Sequence, residues 1–186
     1  MAAIEPGTAY QALPRGSPLA SPDIPPVTMP LLDRSQVESL IPHRDPFLWI
    51  DQVDEYDART LTARKCFEPT LDLFRGHYPG QPVLPGVILC EMAMQAGALL
   101  IATQAQEIEL AGKVPVATRL NNVKFRQMVR PGDTVVVRVE LTERAGPAWF
   151  IAAKLEVAGK TAAQLDFACA LAPANPPGGG SGAAGA

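Results

Sequence analysis

The sequence predicts an α+β domain in which a curved antiparallel sheet wraps one long helix. Three observations predict it. Residues 86–106, GVILCEMAMQAGALLIATQAQ, are apolar nearly all round and would make a helix of some 30 Å at about 1.5 Å per residue. A helix without a polar face must be surrounded. Beyond it the hydrophobic period switches to two, as expected for strands covered on one face only. Finally, the turns MVRPGD, RAGP and AGK are short enough for meander-like connections.

Residues 1–30 hold seven Pro, two Gly and three charges without a hydrophobic period, and are expected to form a disordered Pro-rich arm. The domain spans 31–172, a length that buries one core and leaves no room for a second. It opens with a helical turn in DRSQVESLI, stopped by Pro42. FLWIDQV (47–53) reads as a strand, DEYDA as a polar link, RTLTARKCFE (59–68) as a second strand and 69–85 as a loop. After the helix, Val135, Val137, Val139 and Leu141 alternate with Val136, Arg138, Glu140 and Thr142. Trp149, Ile151, Ala153, Leu155 and Val157 share one face of the next segment, and Ala163, Leu165, Phe167 and Cys169 one face of the last. Residues 173–186, Pro then Gly, Ser and Ala, are expected to be a disordered tail.

Composition narrows the function. A net charge of −3 and a pI near 5.4 offer no basic face for nucleic acid. Cys66, Cys90 and Cys169 form no CxxC pair, which suits a reducing, cytoplasmic setting and predicts neither a disulfide framework nor a metal site. The N-terminus has no basic region followed by an apolar run, so no secretory signal is expected. Residues 86–106 have the length of a membrane span, but Glu91 and Gln95 in their first half make membrane insertion costly.

The chemistry-bearing residues gather in GHYPGQPVLPG. Gly76, Pro79, Gly80, Pro82, Pro85 and Gly86 fall within eleven residues, around His77. Each Pro fixes φ and each Gly permits unusual φ or close approach, so the loop can hold a histidine rigidly at the start of the helix. Gly86 falls at the helix N-terminus, where free N–H groups could hold a carbonyl oxygen gaining charge. Glu91, among Ile88, Leu89, Met92 and Met94, is expected to be desolvated and to serve as an acid near neutral pH. Gln95 lies one turn further on the same face, within reach of Glu91 or of a water beside it, and is expected with Gly86 to position the substrate. Bland roles exist for each: His77 as a structural loop residue, Glu91 in a buried ion pair with Arg or Lys. His43, in the turn PHRD, is expected to cap or to pair with Asp45, and Lys124, Arg126 and Arg130 to form a solvated edge or a basic patch at the site mouth.

HYPGQPVLPGVILCEMAMQ resembles the signature of the FabZ-type β-hydroxyacyl-acyl-carrier-protein dehydratases of type II fatty acid synthesis. That signature reads His-Phe-Pro-Gly-x-Pro-x-x-Pro-Gly-Val, with a catalytic Glu fourteen residues after the His. Here Glu91 stands fourteen residues after His77. IPHRDPFLWIDQV and NNVKFRQMVRPGD are similar to the family's flanking motifs, so the likeness runs from about 31 to 171. Tyr78 replaces the usual Phe, on what would be the tunnel wall.

The resemblance implies a hot-dog fold and a homodimer, often assembled further into a trimer of dimers, with His77 of one subunit meeting Glu91 of the other. It implies that His77 removes the C2 proton of a (3R)-hydroxyacyl thioester held at the Gly86 N–H, and that Glu91, positioned with Gln95, protonates the departing 3-hydroxyl. Glu91 rather than Asp favours the type without double-bond isomerisation. No cofactor is implied: the acyl chain rides on the phosphopantetheine of acyl carrier protein, which could dock on Lys124, Arg126 and Arg130. A hot-dog acyl thioesterase, a hydratase of another thioester pathway and a non-catalytic acyl-thioester binder are the alternatives.

Overall fold

Asp33 starts the fold by closing a reciprocal cap: its carboxylate accepts from the Gln36 N–H, and the Gln36 side chain accepts from the Asp33 N–H. Helix α1 (Arg34–Leu40) follows and ends at Ile41, extended ahead of Pro42 as a residue before proline should be. The computed structural model describes residues 30–104 and 112–174. Nearly all of the arm and tail expected over 1–30 and 173–186, and residues 105–106 of the expected helix, lie outside the described residues.

The strand expected over 47–53 is displaced. Strand β1 covers Gln52–Tyr56, and the apolar run before it, with Leu48, Trp49 and Ile50 buried, follows an irregular path. Its polar backbone atoms explain why: the Trp49 N–H and the Phe47 carbonyl are taken by the side chain of Gln95 rather than by a neighbouring strand. The polar link accordingly shrinks to a tight turn in which Asp57 accepts from the Arg59 and Thr60 N–H groups. Strand β2 (Thr60–Cys66) then pairs antiparallel with β1.

A short helix, α2 (Asp72–Gly76), interrupts the segment expected to be all loop. Helix α3 spans Gly86–Gln104, with eleven residues from Leu89 to Ile101 buried. Strands β3 (Lys113–Phe125), β4 (Thr134–Ala145), β5 (Ala148–Val157) and β6 (Lys160–Pro173) complete a six-stranded antiparallel sheet of order β1-β2-β4-β5-β6-β3. The expected inward faces of β5 and β6 are all buried, as are Val135, Val137 and Val139 of β4. Two successive left-handed residues, Ala158 (φ 47°) and Gly159 (φ 73°), make the tight β5–β6 hairpin. Cys90 and Cys169 are buried thiols and Cys66 is half-buried; burial pushes Cys169 up to about 11.

Helix α3 is long and apolar enough to cross a membrane, with mean hydropathy 1.6, but here it packs on the sheet. Gly97 permits the approach: a Cβ there would stand 2.5 Å from the Phe167 ring of β6. Strand β3, which no hydrophobic period announces, pairs with β6, and among the described residues nothing pairs with its other edge. Val116, Leu120 and Phe125 on it are exposed.

Candidate active site

His77 follows α2 directly and donates its backbone N–H to Leu73. The chain then turns back through Tyr78 (φ 56°) and Gly80 (φ 87°), with the Gln81 N–H on the Tyr78 carbonyl. That reversal brings the Val83 carbonyl to 2.7 Å from His77 Nδ1. A carbonyl only accepts, so Nδ1 carries a proton, and in the neutral ring this leaves the lone pair on Nε2, the form a general base needs. Pro82 and the bond from the Leu84 N–H to the Val129 carbonyl fix the carbonyl-bearing segment. The Tyr78 ring meets His77 edge-on at 4.7 Å and is otherwise exposed.

His77 opens on a cleft of about 900 Å³ whose walls include Tyr78, Gly86, Phe125, Arg126 and Arg130. Gly86 is the first residue of α3, and among the described residues its N–H has no acceptor, as the first turn of a helix dictates. Phe125 lies against it so closely that a Cβ would stand 2.9 Å from the ring. Arg126 and Arg130 thus reach the cleft, as a basic patch at the mouth requires. Lys124 does not line it; the residue is exposed on β3, paired with Gln164 of β6.

Glu91 lies elsewhere. It does not line the cleft, and no contact joins it to His77 among the described residues. Its carboxylate is one-fifth exposed, and its surroundings are polar rather than the apolar sheath the sequence suggests. Gln95, fully buried, organises them: its amide nitrogen donates to Glu91 Oε1 (3.0 Å) and to the Phe47 carbonyl (2.8 Å), and its oxygen accepts from the Trp49 N–H (2.8 Å). Both amide hydrogens are committed, so Gln95 holds Glu91 and has no donor left for a substrate. The ion pair with Arg or Lys is absent at this carboxylate among the described residues.

His43 corrects a second expectation. Asp45 pairs with Arg34 (2.6 Å), and His43 turns its Nε2 toward Glu91 Oε1, 3.6 Å away. Burial pushes the imidazole below the ordinary 6.5, with the charge of Glu91 opposing and that of Arg44 adding. Sequence reasoning weighed His43 in the Pro-His-Arg string but missed Glu91 as its partner. Among the described residues no group of three His, Cys, Asp or Glu is placed to hold a metal ion.

A single chain therefore holds His77 and the free Gly86 N–H at one place and Glu91, bonded by Gln95, at another. Residues 52–165 match the family model described as ApeI-like, ApeI dehydratase. The chain is 37% identical over 143 residues to 3-hydroxyacyl-[acyl-carrier-protein] dehydratase FabZ of Anaeromyxobacter dehalogenans, covering 76% of this chain and 92% of that protein. It is 32% identical over 146 residues to the FabZ of Caulobacter vibrioides, covering 78% and 91%. Among solved structures, the dehydratase heterocomplex ApeI:P from Xenorhabdus doucetiae superposes with a TM-score of 0.63 at 15% identity, over 73% of this chain and 90% of that one. A mutant thioesterase from Pseudomonas aeruginosa does so at 0.58 and 17%, over 76% and 94%. Those two likenesses show the hot-dog fold, while the sequence matches carry the family: the chain belongs to the FabZ-type 3-hydroxyacyl-[acyl-carrier-protein] dehydratases.

Proposed function

We propose that the protein dehydrates (3R)-hydroxyacyl chains carried on acyl carrier protein to trans-2-enoyl chains, in the cytoplasm and in the service of fatty acid synthesis. The observation that carries this reading is the 2.7 Å contact of His77 Nδ1 with the Val83 carbonyl, which leaves Nε2 as a base in the same cleft as the Gly86 N–H. The thioester carbonyl oxygen sits at Gly86, where the amide and the helix dipole stabilise the charge that develops. His77 Nε2 takes the C2 proton. The C3–O bond breaks as Glu91 protonates the leaving hydroxyl, giving water and the enoyl thioester. Elimination of this kind asks of the protein only that it take one proton and give one, with no net oxidation or reduction, so it calls for no metal or redox cofactor, and the acyl chain arrives on phosphopantetheine.

The acid comes from a second copy of the chain. The separation of Glu91 from the His77 cleft supports a homodimer with two shared sites. The open edge of β3 and its exposed Val116, Leu120 and Phe125 offer a surface on which two copies can meet. Arg126 and Arg130 at the cleft mouth, with Lys124 beside them on β3, suit an acidic carrier protein.

The test is to incubate the protein with 3-hydroxyacyl-carrier substrate and follow enoyl absorbance and free thiol together. Enoyl product without thiol is expected. Thiol without enoyl product would make the protein a thioesterase, and neither signal would make it a binder.

A further inference from the structure

We propose that His43 is a positioning residue for Glu91, and that His43 and Gln95 together decide which carboxyl oxygen carries the acid proton. The proposal rests on the dehydratase reading above. Gln95 Nε2 and His43 Nε2 approach the same oxygen of Glu91, Oε1, at 3.0 and 3.6 Å. Among the described residues no donor reaches Oε2. A protonated carboxyl has one oxygen that only accepts and one that carries the hydrogen. Two N–H groups on Oε1 therefore leave the proton to Oε2, the oxygen free to face a substrate.

This requires a hydrogen on His43 Nε2, and the surroundings of the ring demand it. Half-buried, the imidazole favours its neutral form, which has one N–H to place. Among the described residues His43 Nδ1 is buried without a partner, and an orphaned buried N–H is rare. A bare Nε2 would instead point its lone pair at those of Oε1. The hydrogen on Nε2 resolves both conflicts.

The turn carrying the ring is itself tied down, with the Arg44 guanidinium on the carbonyls of Ile41 (2.8 Å) and His43 (2.7 Å). At 3.6 Å the contact is longer than a formed hydrogen bond, and such contacts tighten once substrate is bound.

Steady-state dehydration by the full-length wild type and the His43→Leu, His43→Gln and His43→Asn variants tests this, with a melting temperature for each. The Leu variant should lose about tenfold in kcat, the scale of one hydrogen bond that matters in the transition state, with KM within about twofold. Gln, whose amide N–H reaches the Nε2 position, should recover most of the loss. Asn, whose amide nitrogen stops at the Nδ1 position, should not. Should the Leu variant fail to fold, the Gln and Asn pair still separates reach from mere polarity. Wild-type kcat in His43→Leu, a loss confined to KM, or Gln no better than Asn would each overturn the proposal. No enoyl product from the wild type would overturn the dehydratase reading along with it; wild-type turnover beside an unimpaired Leu variant would overturn the role of His43 alone.

Discussion

His77 and Glu91, the base and acid of the proposed reaction, are held by opposite means. Among the described residues the His77 ring has one hydrogen-bond partner, a backbone carbonyl, and depends on the stiffness of a Pro/Gly-rich reversal to keep that carbonyl in place. Glu91 sits on a regular helix turn whose backbone needs no help. What it needs is orientation, and Gln95 and His43 supply that from its own turn and from a segment almost fifty residues away in sequence. The contrast teaches where each half-site is vulnerable. Damage to the backbone path of 76–86 should cost activity with little effect on the core. Damage around Glu91 should cost stability and activity together, because the same amide that aims the carboxylate also satisfies buried backbone.

The largest expected effect separates the halves altogether. His77→Asn and Glu91→Gln should each lower dehydration by about 10²–10⁴-fold, the range of a lost general acid or base. Mixed after unfolding and refolding together, the two inactive chains should regain activity, because a mixed dimer holds one intact pair. Failure to regain any would place base and acid within one chain.

Next comes the hub of the acid side. Gln95→Leu strips the Trp49 N–H, the Phe47 carbonyl and Glu91 of a partner in one change. Buried groups left unpaired cost about 1–3 kcal/mol each, so we expect chemical denaturation to show a loss of about 3 kcal/mol. Tyr78→Phe on the base side, by contrast, should leave the denaturation midpoint unmoved, its ring being largely exposed.

Legibility in the sequence followed the same division. Helix α3, the meander of β4, β5 and β6, and the helical turn before Pro42 could be read because each writes its own local pattern: continuous apolarity, period two, a proline stop. His77 could be read because rigidity has a composition. Strand β3 could not, since residues such as Ala117, Thr118 and Arg119 are exposed in a single chain and no face selects for apolar residues. The run 47–53 misled because its residues are as buried as a strand, while its hydrogen bonds go to a side chain 46 residues away. The partnership of His43 with Glu91 is of that kind too. A tertiary contact leaves no period behind, and a lone histidine beside Asp45 invites the nearer partner.

Two glycines on α3 probe the contrast at smaller scale. A Cβ at Gly97 would meet the Phe167 ring at 2.5 Å, in the closed core. Overpacking of that kind costs about 1–3 kcal/mol, set against about 1 kcal/mol of helix propensity gained. Gly97→Ala should therefore lower the melting temperature without a specific catalytic defect. A Cβ at Gly86 would also press on a ring, but Phe125 lines the cleft rather than the closed core and can swing into it. Gly86→Ala should leave the melting temperature near wild type and reduce kcat/KM, as the displaced ring occupies substrate space. Equal losses of stability at both positions would break the distinction between cleft and core.

The smallest effect is a pH signature of the acid side. Burial holds the folded-state pKa of His43 below 6.5, against the opposing pull of Glu91 and with the help of Arg44. Unfolding returns the ring to its ordinary value. Between the two, the unfolded chain binds more protons than the folded one, so stability rises with pH through that window. The sign follows: the contribution is complete above 6.5 and is lost as pH falls below it. Asp33 and Asp57 are held below 3.8 by backbone N–H groups, so their contributions fail only in stronger acid and leave this window clear. Urea midpoints at about pH 7.5 and about pH 5.5 should differ more for the wild type than for His43→Gln, which keeps the N–H and removes the titration. An equal difference in the two proteins would show that the His43 ring is not desolvated in the folded chain.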